Sequence, residues 1–401
     1  MNYLTNSTWP LLSLCLLFCL ANCQQAEPVK DAQSAYTLID GSATEQTAAL
    51  YQNLANLQGK HSLFGHQATL AYGYSWENEP NRSDVKDVTG SYPALYGWDI
   101  ADFLPNLDAE NAEMDEQRWN QNLAYAKEGL ERGGVITYAW HMTNPVTYKS
   151  FYDTTRAIHA IIPGGEKHEE YKQTLDLVAD FFKELSPMPV IFRPFHEHNG
   201  DWFWWGIGLT TEEDYITLWR FTLEYLRDKK QVNNLIWAFS PDRSRIDMDN
   251  FNEGYFYGYP GDEYVDIIGL DNYRDAGRAD GNQTMAEKKR DFGLSMGYAA
   301  QIAIDKNKIS ALTETGLEAI PDSVWWTEHL LSSMLSSELS KRTTYVQVWR
   351  NATKARENRD HYYAPYPGQL SADDFIKFKE TEFILFEDEL PNMYSLPAKK
   401  D

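Results

Sequence analysis

The chain has 401 residues, 43% of them hydrophobic and 24% charged, with a formal net charge of −23. That length holds one barrel-sized domain or two average ones, and the polarity is that of a soluble globular protein. The acidity argues against a nucleic-acid binder, whose phosphate partners require Lys and Arg, while the 14% aromatic share, with 13 Trp and 25 Tyr, is high: aromatics fill cores, and such a surplus also suits stacking on flat ligand faces.

From the N-terminus, Leu11 to Ala21 is an apolar run broken only by Ser13. It is too short for a membrane-spanning helix, which needs about 20 residues, and has the length of a signal-peptide core, although no Lys or Arg precedes it. The three cysteines, Cys15, Cys19 and Cys23, all lie in or just after this run. The remaining chain therefore has no internal disulfide, no Cys–zinc site and no thiol nucleophile. Leu20-Ala21-Asn22-Cys23 resembles a bacterial lipobox, with Asn22 departing from the pattern. The expectation is export, with lipidation of Cys23 tethering the chain to the cell envelope without a spanning helix. Simple secretion with cleavage nearby is the alternative. Residues 24–36 read as a polar tether, 37–390 as one domain and 391–401 as a tail.

Within the domain, short apolar runs alternate with amphipathic stretches. Strands are predicted at 62–66, 94–99, 134–141, 189–197, 234–240, 265–273, 309–314 and 344–349. Helices are predicted at 111–132, 171–185, 212–227, 285–305, 322–339 and 372–386. Eight strands alternating with helices predict a single (β/α)8 barrel of the α/β class. A doubly wound open sheet is the alternative, but it usually carries a Gly-rich phosphate loop, and none follows a strand here. Most of the strands end in polar or aromatic side chains: His66-Gln67, Trp98-Asp99, Trp140-His141, His196-Glu197, Asp271-Asn272-Tyr273, Glu314 and Gln347-Val348-Trp349. In a barrel these ends share one face, where catalytic groups gather.

Two carboxylates stand out. Glu197 ends the run Val190-Ile191-Phe192-Arg193-Pro194-Phe195-His196, and Glu314 ends Ile309-Ser310-Ala311-Leu312-Thr313. An arbitrary Glu is an exposed surface group, but each of these follows an apolar strand, and strands 4 and 7 stand across a barrel from one another. A carboxylate pair so placed suits hydrolysis of a glycosidic bond: one protonates the leaving oxygen, the other meets the positive charge at the anomeric carbon. Separation decides the outcome, about 5–5.5 Å for retention and about 6.5–9.5 Å for inversion. The His and carboxylate set also invites a hydrolytic metal site, but no His-x-His lies on the first strand and no His-Glu-x-x-His is present. Between Gly200 and Gly206 lies Trp202-Phe203-Trp204-Trp205. Four consecutive aromatics do not fit one face of a helix or strand, so at least one is expected to project from a loop as a platform for a sugar ring.

Arg193-Pro194-Phe195-His196-Glu197-His198-Asn199-Gly200 with the following Trp run resembles the acid/base segment of glycoside hydrolase family 26. Trp140-His141-Met142-Thr143-Asn144-Pro145, Asp271-Asn272-Tyr273 and Thr313-Glu314-Thr315-Gly316 resemble three further motifs of that family in the same order. The resemblance spans essentially the whole barrel. It implies a retaining β-1,4-mannanase that needs no metal or cofactor, acting on β-mannan or manno-oligosaccharides. Glu197 would be acid/base, Glu314 nucleophile, and His141, His196, Trp202, Tyr273 and Trp349 substrate contacts. The family also includes β-1,3-xylanases and mixed-linkage glucanases, and a non-catalytic mannan-binding protein is a further alternative. Internal cutting and release of mannobiose from a chain end both remain open.

Overall fold

In the computed structural model, residues 36–104, 116–278 and 282–396 are described. The readings of residues 1–23, including Cys23, and of the tether lie outside the described residues, apart from Tyr36.

The apolar runs form eight parallel strands: β1 Ser62–Gln67, β2 Leu95–Asp99, β3 Val135–Trp140, β4 Val190–Pro194, β5 Leu235–Phe239, β6 Ile267–Asn272, β7 Ile309–Thr315 and β8 Thr343–Val348. Each pairs with the next, and β8 and β2 both pair with β1, which closes the sheet into a barrel. All eight strands are buried along their whole length, as expected where helices cover the outside. The fold is the (β/α)8 barrel of the sequence reading.

The floor of the barrel is a plug. The helix Glu45–Leu57 starts at Thr44, whose hydroxyl accepts from Thr47 N, and buries Leu50, Tyr51 and Leu54. These pack on the first residues of the strands, among them Leu63, Leu95, Val135, Ile191 and Ile309, and Tyr51 Oη donates to Asp266 O at 2.8 Å. Higher in the barrel, Gln347 Nε2 donates to Gln67 Oε1 at 2.6 Å. A Cβ on Gly97 would meet both of these amides at 2.1 Å, so only glycine leaves room for the pair.

The structure differs from expectation in three helical stretches. The helix expected over 111–132 is described from Glu116 to Glu131, and residues 111–115 lie outside the described residues. In place of one helix over 322–339 there is a π-helical stretch, Trp325–Leu331, running into the short Ser332–Met334. Both indoles are buried there, and each donates to a group outside the stretch, Trp325 Nε1 to Ala276 O at 2.6 Å and Trp326 Nε1 to Ser371 Oγ at 3.1 Å. The helix expected over 372–386 ends at Lys379, because Ile384–Leu385 forms a short strand, β9, beside Ser62 and Leu63 of β1. Beyond it Met393 is buried, and Asn53 Nδ2 donates to Met393 O at 3.0 Å.

Candidate active site

The polar strand ends converge at the C-terminal mouth of the barrel. Arg193, near the end of β4, is buried and acts as the hub. Its Nη1 donates to Asp271 Oδ2 at 2.6 Å, and its Nη2 donates to Glu314 Oε2. Burial alone would lower the pKa of this guanidinium, but Asp271 and Glu314 outweigh it and raise the pKa. Asp271 Oδ1 also accepts from Thr313 Oγ1 at 2.7 Å.

Backbone irregularity aims Glu314. The β6–β7 register slips between Leu270 and Asp271, so that Leu270 faces Leu312 but Asp271 faces Glu314, and Thr313 is the extra residue. Such a bulge re-aims the following side chain. Tyr273, just past β6, donates from Oη to Glu314 Oε1 at 2.8 Å. Both oxygens of Glu314 therefore accept, one from a cation and one from a phenol, which is the pattern of a carboxylate. Burial, then the Glu314 charge, pushes the Tyr273 phenol well above its ordinary pKa, so it stays a donor.

Glu197 is placed differently. The strand expected to reach it stops at Pro194, since proline cannot donate to the ladder beyond. Phe195 (φ 48°) and Glu197 (φ 53°) then take left-handed backbone conformations in a tight turn, a strained choice for non-glycine residues. The turn is fixed by Glu197 N donating to Ser240 O at 2.9 Å and by Gly200 N donating to Glu197 O at 2.8 Å. Asn199 clasps the loop after β5: its Nδ2 donates to Asp242 O at 2.8 Å, and its Oδ1 accepts from Asp242 N at 2.7 Å. Burial, followed by the charges of Asp242, Glu314 and Asp271, pushes the Glu197 carboxyl well above the ordinary range and favours its protonated form. The indole of Trp202 opposes this, its Nε1 donating to Glu197 Oε2 at 2.7 Å.

The aromatic run divides by environment. Phe203, Trp204 and Trp205 are buried. Trp204 Nε1 donates to Met142 O at 2.7 Å, and Trp205 Nε1 to His196 O at 2.8 Å. Only Trp202 is half-buried, its ring lying so close over Gly200 that a Cβ there would come within 2.3 Å. His141 Nε2 and His196 Nε2 are 3.2 Å apart, and the Trp349 ring centroid is 5.7 Å from that of His141. The structure thus brings His141, His196, Glu197, Trp202, Tyr273, Glu314 and Trp349 to one mouth. His198 points away: it is buried, stacks on Tyr215 at 4.4 Å and bonds Tyr257 O at 2.6 Å. Glu318, the next carboxylate along the chain after Glu314, is held elsewhere, by His361 Nδ1 at 2.7 Å and Arg359 at 3.2 Å.

Sequence reasoning gave no role to Arg193, Asp271 or Asp99, although Asp99 and Asp271 lay in the quoted strand ends and Arg193 in the run that leads to Glu197. It also missed Tyr152, which is 61% exposed with its ring centroid 5.6 Å from that of Phe203. A loop aromatic outside any periodic element gives no sequence signal. Among the described residues, the His, Asp and Glu atoms that converge enough to hold a metal belong to His196, Asp271 and Glu314, within 4.8 Å of one another. The Arg193 guanidinium already supplies positive charge to both carboxylates.

A closed parallel barrel with an Arg-held carboxylate and a second, buried carboxyl at its C-terminal mouth defines the class as a (β/α)8 barrel with a carboxylate-lined site. Residues 39–308 match the sequence profile of glycosyl hydrolase family 26, and the chain belongs to that family. Among solved structures, a GH26 β-mannanase from Bacteroides ovatus, BoMan26A, is 38% identical with a TM-score of 0.76, covering 89% of this chain and 99% of that one. GH26C from a Muricauda species is 33% identical with a TM-score of 0.80, covering 93% and 100%. A mannan endo-1,4-β-mannosidase of Bifidobacterium adolescentis is 31% identical over 85% of this chain, which spans only 34% of that relative's length.

Proposed function

We propose that this chain is a retaining β-1,4-mannan hydrolase with Glu197 as acid/base and Glu314 as nucleophile. The observation that carries the reading is the contrast between the two carboxyls. Glu197 is buried among negative charges, which favours its protonated form, while both Glu314 oxygens accept from Arg193 and Tyr273. Environments that differ in this way mark Glu197 as the proton donor and Glu314 as its acceptor-only partner; retention, and with it the nucleophilic role of Glu314, is what the resemblance to family 26 implies.

Glu197 gives its proton to the leaving glycosidic oxygen as a Glu314 oxygen attacks the anomeric carbon and the C–O bond to the leaving sugar breaks. The product is a covalent mannosyl-enzyme. Glu197, now ionised, takes a proton from water, and the water oxygen displaces Glu314 with net retention. His141, His196, Trp202, Tyr273 and Trp349 supply contacts to the sugar, with the half-buried Trp202 ring as platform. Mannan as the substrate rests on the names of the relatives above. Export and lipidation at Cys23 belong to the same proposal; incorporation of labelled palmitate that a Cys23→Ala variant abolishes is its test.

The deciding experiment is 1H NMR of early hydrolysis products on linear mannan, with mixed-linkage glucan and β-1,3-xylan in parallel. The β-anomer is expected first, on mannan, with Glu314→Ala losing nearly all turnover. An α-anomer appearing first refutes retention, preference for another glycan refutes mannan, and near-normal turnover of Glu314→Ala removes the nucleophile.

A further inference from the structure

Asp99, His141 and His196 form a chain of buried groups along one wall of the site. Asp99 Oδ1 is committed to the backbone, accepting from Ala101 N at 2.9 Å and His141 N at 3.1 Å. Its Oδ2 faces His141 Nδ1. His141 Nε2 faces His196 Nε2 at 3.2 Å, the rings crossing at 83°. At the far end, His196 Nδ1 is buried with no hydrogen-bond partner among the described residues.

A proton count selects one arrangement. An ionised carboxylate only accepts, so His141 carries N–H at Nδ1. The contact between the two Nε2 atoms needs one proton. If His141 supplied it, His141 would be an imidazolium, and a neutral His196 would hold its own proton on Nδ1, an N–H buried with nothing to accept it. If His196 supplies it, His141 is neutral and His196 Nδ1 is a bare lone pair, so no buried donor is left unpaired. Burial, then the charge of Arg193, holds the His196 pKa well below its ordinary value, in keeping with a neutral ring.

We propose that Asp99 is a positioning residue that acts through His141 to fix His196 in its Nε2–H tautomer. The consequence reaches the site, because one ring nitrogen of His196 lies within 4.8 Å of carboxylate oxygens of both Asp271 and Glu314. Which nitrogen carries the proton decides whether this wall presents a donor or an acceptor. Phe203 packs against both imidazoles, its centroid 5.4 Å from each, so the rings are held while the protons are selected.

The substitution Asp99→Asn is the probe. Its Oδ1 stays with the two backbone N–H groups, which turns the amide NH2 toward His141 Nδ1. His141 must then move its proton to Nε2 and donate to His196, and His196 must move its own proton to Nδ1. Long-range 1H–15N spectra of the labelled protein should show His196 as Nε2–H in the wild type and both histidines switched together in D99N. A His196 found as Nδ1–H in the wild type overturns the proposal, whether or not D99N folds. An unmoved His196 tautomer in a folded D99N overturns it as well. In a His141→Gln background D99N should leave His196 unchanged; a switch there would refute transmission through His141. The kinetic arm rests on the proposed hydrolysis: kcat/KM of D99N should fall by about tenfold or more, about the worth of one lost charged hydrogen bond. Failure of mannan hydrolysis would remove that arm and the functional reading, and leave the tautomer result standing.

Discussion

Arg193→Met removes the one cation among the described residues that pairs with both Asp271 and Glu314. Methionine keeps much of the side-chain volume, so the effect is electrostatic. The guanidinium is only 2% exposed, and its partners Asp271 and Glu314 are 0% and 5% exposed, so solvent cannot replace the lost charge. Removing one partner of such a buried pair costs about 3–5 kcal/mol. At about 2 °C per kcal/mol, the slope for large domains, the melting midpoint should drop by about 6–10 °C. Loss of the charge preorganised against Glu314 should also lower kcat by about 10²–10³. The double variant Arg193→Met with Asp271→Leu separates the two effects. Replacing this pair by apolar groups should recover part of the stability, because Glu314 still lacks its cation and Thr313 Oγ1 loses its acceptor, and none of the rate. Calorimetry and turnover of a soluble manno-oligosaccharide read both quantities. A midpoint within about 2 °C of wild type, with kcat unchanged, would refute the view of Arg193 as the hub.

Trp202→Phe keeps a ring but deletes the N–H that donates to Glu197 Oε2. That bond favours the ionised form of Glu197, so its loss should raise the pKa further and move the alkaline limb of the kcat/KM–pH profile upward; a downward shift would contradict the assignment of Glu197 as the acid. Burial lowers the His198 pKa to about 4, against an unfolded value of about 6.5. The unfolded state therefore binds the extra proton, and the stability contribution is complete above pH ~6.5 and lost as pH falls toward ~4. His198→Gln should flatten the slope of unfolding free energy against pH in that window by about 1.4 kcal/mol per pH unit, measurable by urea titration at several pH values; an unchanged slope would mean His198 is protonated in the fold. Tyr152→Ala should raise KM about 2–10-fold, the worth of one stacked ring, with kcat unchanged, and an unaltered KM on long oligosaccharides would exclude Tyr152 as a sugar contact.

The barrel was legible because each strand is an unbroken buried run closed by polar residues, a pattern that survives errors of a residue or two at either end. The positions of Glu197 and Glu314 at the barrel mouth were legible for the same reason, as charges placed where a strand should stop. What escaped was conformational detail. The left-handed turn at Phe195 and Glu197 and the bulge at Thr313 depend on contacts to neighbouring strands, which no local pattern encodes. The Trp run shows the limit clearly. All four rings looked alike in sequence, yet Trp204 and Trp205 are buried with their N–H groups on backbone carbonyls, leaving Trp202 as the half-buried ring. The π-helical stretch at 325–331 had amphipathic spacing close enough to an ordinary helix to pass as one.

The plug beneath the barrel has a topological consequence. Tyr36 Oη accepts from Arg342, just before β8, at 3.1 Å, and Tyr394 Oη donates to Gly134 O, just before β3. Both ends of the described domain therefore lie on the floor, opposite the mouth that holds Glu197 and Glu314. A circular permutant joined across residues 396 and 36 by a short linker, and opened in a surface loop on another side, would keep every strand pairing intact. A fusion partner or immobilisation tag attached at either end of the domain would leave from the face opposite the proposed site.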